Sequence, residues 1–141
     1  MMRKLTRAMF GVALAAPMTL GISTAAHAEQ APGCSSTVQI GSTAYITISG
    51  ETFASVKQFK GCGKNYAYAY VWQSYRNAHS NWDICISIAT VQSNGSRLLE
   101  DLRCPGQVVE AWSGGAATLD QCTVAVGWYP DVANKATDVR C

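Results

Sequence analysis

Catalysis near neutral pH needs a titratable base, an activated nucleophile or a set of metal ligands, and this chain offers few of them. Beyond residue 28 its only histidine is His79, so any proton shuttle through imidazole must use that one side chain. Glu51, Glu100, Glu110 and Arg76 supply the residue types a small secreted ribonuclease would combine with it, but their spacing does not bring them together. The same holds for a pair of carboxylates suited to glycoside hydrolysis. Gly-x-Ser-x-Gly, His-Glu-x-x-His and phosphate-binding loops are missing. No catalytic residue, cofactor or metal site is therefore predicted, and a small hydrolase using His79 stands only as an alternative.

Cysteine chemistry is more informative. Cys34, Cys62, Cys85, Cys104, Cys122 and Cys141 form an even set without a Cys-x-x-Cys pair, and with one histidine to help them they make a poor zinc site. In an exported chain they read as three disulfides.

Aromatic residues provide the strongest binding signal. Tyr66, Tyr68, Tyr70 and Trp72 alternate with Ala67, Ala69 and Val71, which places four rings on one face of a strand. Flat rigid rings stack on sugars and anchor protein partners, although tyrosines also pack in strands simply to stabilise them. Directly after this strand, Gln73 to Asn81 is polar and bracketed by Trp72 and Trp82, so Tyr75, Arg76 and His79 are candidate contacts on an exposed loop. Trp82, Trp112 and Trp128 are assigned to the core or to packing against a disulfide.

The stretch Gln73-Ser74-Tyr75-Arg76-Asn77 is similar to the Gln-Ser-Trp-Arg-Tyr segment of secreted α-amylase inhibitors of the tendamistat type, small disulfide-bonded β-sandwiches. The likeness spans these five residues, with tyrosine in place of the tryptophan and asparagine in place of the final tyrosine, in a longer chain with two more cysteines. It implies inhibition of a secreted hydrolase, an amylase or a protease, with Tyr75 and Arg76 as the contacts.

The elements that must position these residues begin after an export signal. Arg3, Lys4 and Arg7 precede an apolar run, Ala8 to Leu20, and Ala26-His27-Ala28 fits a signal peptidase, so residues 1–28 are expected to be removed and 29–141 to form one secreted domain. The run is too short and too weakly apolar for a membrane anchor. Three of the eleven basic residues lie in the signal and all nine acidic residues follow it, leaving a mature charge of −1. Scattered charge of that size argues against nucleic acid and membrane as partners and leaves an extracellular protein or carbohydrate, bound by a monomer.

Period-two alternation dominates residues 29–141. Ala44, Ile46 and Ile48 alternate with polar neighbours, as do Trp82, Ile84, Ile86 and Ile88. Strands are also predicted over 53–59, 66–75, 107–112 and 121–129, with turns at Gly50, Gly61-Cys62-Gly63, Asn94-Gly95, Pro105-Gly106 and Gly114-Gly115. The fold class is all-β, a small antiparallel β-sandwich or barrel stabilised by three disulfides. Residues 29–33 are expected to be a short flexible start, and a tail whose order the sequence leaves open follows Pro130. With Asn94-Gly95 as a two-residue hairpin loop, Cys85 opposes Cys104 within disulfide reach. That register sets Ile86 against Arg103 and Ile88 against Asp101, a mismatch that a bulge would relieve; a short helix over 97–103 is the other solution. Cys34 with Cys62 and Cys122 with Cys141 are the local choices for the remaining four.

The functional expectation is a secreted, non-catalytic binding protein, with inhibitor and small hydrolase as alternatives and a structural coat component as a third.

Overall fold

In the computed structural model, which describes residues 29–141, the alternating segments become eight strands: β1 Val38–Ile48, β2 Glu51–Gly61, β3 Lys64–Val71, β4 Ile84–Val91, β5 Arg97–Gly106, β6 Glu110–Trp112, β7 Thr123–Tyr129 and β8 Ala133–Ala136. One helix, α1 Gln73–Ala78, separates β3 from β4. The strands form two antiparallel four-stranded sheets, ordered β1-β2-β3-β6 and β5-β4-β7-β8. The sheets pack face to face as an open sandwich rather than closing into a barrel. The export signal assigned to residues 1–28 lies outside the described residues. Among the described residues, no helix is long and apolar enough to cross a membrane.

The core follows from alternation. Ile46, Val56, Ala67, Ala69, Val71, Ile84, Ile86, Ile88 and Ala125 point between the sheets and are almost fully buried. Two tight hairpins build the first sheet. Ser49-Gly50 and Cys62-Gly63 are two-residue loops with positive φ at both positions, the mirror-image turn whose twist matches the strands it joins.

All three disulfides join the expected partners: Cys34–Cys62, Cys85–Cys104 and Cys122–Cys141. The β4–β5 hairpin forms, but its loop differs from the expected one. Gln92 and Ser96 face each other across Ser93, Asn94 and Gly95, with the Gln92 N–H donating to the Ser96 carbonyl at 2.8 Å and Gly95 at φ 81°. A three-residue loop shifts the register by one, so Ile88 opposes Glu100 rather than Asp101. A bulge at Asp101, φ 52°, then restores Ile86 to Arg103. The isoleucines thus stay in the core while the charges of β5 stay in water. Residues 97–103 are strand, not helix.

Two other expectations need correction, and the order of the tail, left open by the sequence, is decided. The strand through Tyr75 ends at Val71, and residues 73–78 turn into α1, because Tyr75 gains more by burial than by extension. A bulge in β2 leaves Phe53 as the extra residue between Ala54 and Thr52 and tucks its ring into the core, where Tyr75 meets it edge-on at 4.8 Å. The tail after Pro130 is ordered: β8 pairs with β7, and Arg140 bridges to Thr123 beside the last disulfide. Finally, Ala31 is buried on the first sheet rather than loose in solvent.

Candidate functional site

The outer face of the first sheet carries an ordered set of side chains. Because Ala67, Ala69 and Val71 of β3 point inward, Tyr66, Tyr68 and Tyr70 point away from the core. Pairing extends each position across the sheet. Tyr45, Ser55, Tyr70 and Glu110 form one cross-strand row, and Lys57, Tyr68 and Trp112 form part of the next. Just past the end of β3, Trp72 is fixed by its N–H, which donates to the Phe53 carbonyl at 2.9 Å. Its ring lies 6.3 Å from that of Tyr45.

These side chains enclose a concavity of about 420 Å³, lined by Tyr45, Ser55, Lys57, Tyr68, Tyr70, Trp72 and Glu110 together with Glu29 and Thr43. Tyr45 is 50 % exposed and Trp72 40 %, so its rim is aromatic and open to water. Its floor is polar and rigid. The Tyr68 hydroxyl donates to Glu110 Oε1 at 3.0 Å. Burial, then the neighbouring Glu110 carboxylate, holds the Tyr68 phenol far above its ordinary range, so it remains a proton donor to Glu110. Lys57 Nζ pairs with the Glu29 carboxylate at one end. At the other, Arg76 Nε donates to the Val71 carbonyl at 3.1 Å and Nη2 to the Tyr70 hydroxyl at 3.4 Å.

The residues singled out from the sequence separate into three groups. Tyr70 is half-buried and Trp72 exposed at the concavity, with Arg76 bracing Tyr70. Tyr66 and Tyr68 share their face, but only 7 % and 2 % of their surfaces reach water: Trp112, Phe59 and the segment carrying Ala31 cover them. Tyr75 is not an exposed contact at all. It is 5 % exposed, packed on Phe53 from one side and under the His79 ring, 4.0 Å away and nearly parallel, on the other.

No family model, curated protein or solved structure gives a significant match to this chain.

Of the carboxylates proposed to join His79, only Glu51 does so. His79 Nε2 lies 3.0 Å from Glu51 Oε2, both side chains being substantially exposed. Glu110 is engaged with Tyr68, and Glu100 belongs to β5 in the other sheet. Sequence reading passed over Glu29, Thr43, Tyr45, Ser55 and Lys57 of the concavity, and it named Glu110 only as a carboxylate for catalysis, not for binding. Tyr45 carried a detectable signal, being a large aromatic in the polar register of an alternating strand. Glu110 carried none, because its role depends on β6 pairing with β3.

Proposed function

We propose that this protein is an exported, non-catalytic module that binds an extracellular polysaccharide along the outer face of its first sheet. The observation that carries this reading is the Tyr45–Trp72 pair, two half-exposed rings side by side at the rim of a groove whose interior offers Ser55, Tyr70, Lys57 and Glu110. A pyranose ring has an apolar C–H face and a hydroxyl rim. Exposed aromatics accept the former, and fixed hydroxyls and charges accept the latter. Export is supported by the three disulfides, which form and persist in oxidising compartments.

Retention of the purified protein on insoluble chitin, cellulose and peptidoglycan tests this reading. A Tyr45→Ala, Trp72→Ala double variant is expected to lose at least tenfold in retention on whichever matrix binds, with little change in melting temperature. Equal retention, or no binding to any of the three, overturns it.

The inhibitor reading has weaker support. Its first contact, Tyr75, is a core residue, and the guanidinium of its second, Arg76, is already committed to Val71 and Tyr70. Amylase and trypsin are expected to keep their full rates in micromolar excess of the protein.

A further inference from the structure

The groove stops where residues 29–34 begin, and the surface beneath them has the same character as the groove. Phe59, Tyr66, Tyr68 and Trp112 lie there in one connected cluster: Phe59 and Trp112 have ring centroids 5.2 Å apart, Tyr68 and Trp112 4.7 Å, Tyr66 and Trp112 6.5 Å. The outer face of a sheet ordinarily faces water and takes polar residues. Here it carries a stripe of rings from Tyr66 to Trp72, six residues of strand or about 20 Å.

Gly115 packs on the Tyr66 ring, but what residues 29–33 lay over the rest of the inner half is slight. Ala31 is the apolar residue that this segment lays on the cluster, next to the disulfide sulfur of Cys34. Residues 29–37 belong to neither sheet. The segment of residues 29–33 is held by five polar contacts: Lys57 with the Glu29 carboxylate, the Thr37 hydroxyl donating to the Glu29 carbonyl at 2.9 Å, a long 3.4 Å contact from the Ala31 N–H to Thr37 Oγ1, and two that reach only the adjoining Cys34, from Gln30 Nε2 to its carbonyl at 2.6 Å and from its N–H to the Ala31 carbonyl at 3.1 Å. Pro32 and Gly33 form the turn that joins it to Cys34, and the Cys34–Cys62 bridge anchors it there whether the segment is docked or not.

We propose that residues 29–33 are a displaceable cover over a second part of the binding face, so that a long polysaccharide chain, but not a short one, displaces the cover and runs along the stripe from Trp72 to Tyr68. This rests on the binding reading above. The cover competes with the inner part of the ligand, and a chain too short to reach Tyr68 gains nothing from its removal.

Two substitutions in the full chain release the cover without touching the rings. Ala31→Asp places a carboxylate against the aromatic cluster, and Thr37→Val, outside the groove, removes the hydroxyl that accepts from the Ala31 N–H and donates to the Glu29 carbonyl. Mild nitration followed by peptide mapping reads the cover directly at Tyr68, which is 2 % exposed while the cover is on. Both variants are expected to raise nitration of Tyr68 at least tenfold. They are also expected to tighten binding of cellohexaose or chitohexaose about fivefold or more while leaving cellobiose and chitobiose unchanged. Increased nitration with unchanged hexasaccharide affinity overturns the proposal, showing the segment to be structural only. Unchanged nitration in Thr37→Val, a variant expected to fold normally, overturns it too. If the Tyr45→Ala, Trp72→Ala variant loses binding in either case, the groove reading survives the failure of the cover.

Discussion

Gly127 of β7 lies directly opposite Val56 of β2: a methyl group built on Gly127 would stand 2.6 Å from Val56 Cγ2, well inside contact distance. The two sheets therefore leave no room for a side chain at this point, and the glycine is there for want of space rather than for backbone freedom. Gly127→Ala is expected to destabilise the protein by about 1–3 kcal/mol through overpacking. Urea unfolding measures it, and an unchanged midpoint contradicts this view of the sheet contact.

Tyr75 and Arg76 are neighbours in sequence with opposite fates, and substitution separates them. Tyr75→Ala empties a site walled by Phe53 and His79 and is expected to cost about 3 kcal/mol or more. Arg76→Ala is expected to change stability by less than about 1 kcal/mol, removing two hydrogen bonds at a half-buried position. Denaturant midpoints of the two variants check the contrast; equal costs would mean that α1 does not point Tyr75 inward.

The phenols give a pH dependence. Burial raises the Tyr68 and Tyr75 ionisations above the ordinary value of 10.0, with Glu110 adding to the effect at Tyr68 and Tyr129 and Glu51 at Tyr75. The folded state holds these protons after the unfolded chain has released its own. Their contribution to stability is therefore complete below about pH 10 and falls as pH rises past it. Absorbance titration of the native protein is expected to leave these phenols un-ionised until unfolding. Full reversible ionisation of all six tyrosines with the fold intact would contradict the burial of Tyr68.

The Cys122–Cys141 bridge closes the strap in which Arg140 pairs with Thr123. Replacing both cysteines by serine is expected to cost about 3 kcal/mol, as for a loop of this length. Amide exchange should accelerate first at Thr123 and Arg140, whose N–H groups each donate to the other's carbonyl. Loss of protection spread evenly through the sheets would instead mean that the strap is part of the global unfolding unit.

Sequence alone determined the β architecture and which β3 residues share a face, because both depend on local chemistry: alternation and turn residues. It offered the three disulfide pairs only as the local choice among fifteen connectivities, and it put Tyr70 and Trp72 on one face with Tyr66 and Tyr68 without deciding which of them is exposed. Tertiary structure decided which rings meet water. Tyr66 and Tyr68 have the same alternation as Tyr70, yet a segment more than thirty residues earlier in the chain covers them, and Tyr75 turns inward only because a bulge in β2 delivers Phe53 beneath it. The encounter of Glu110 with Tyr68, of Glu51 with His79 and of Gly127 with Val56 likewise arises from pairing and packing between distant strands. Periodicity fixes the direction in which a side chain leaves its strand, but what waits for it there is set by chain segments that no local pattern encodes.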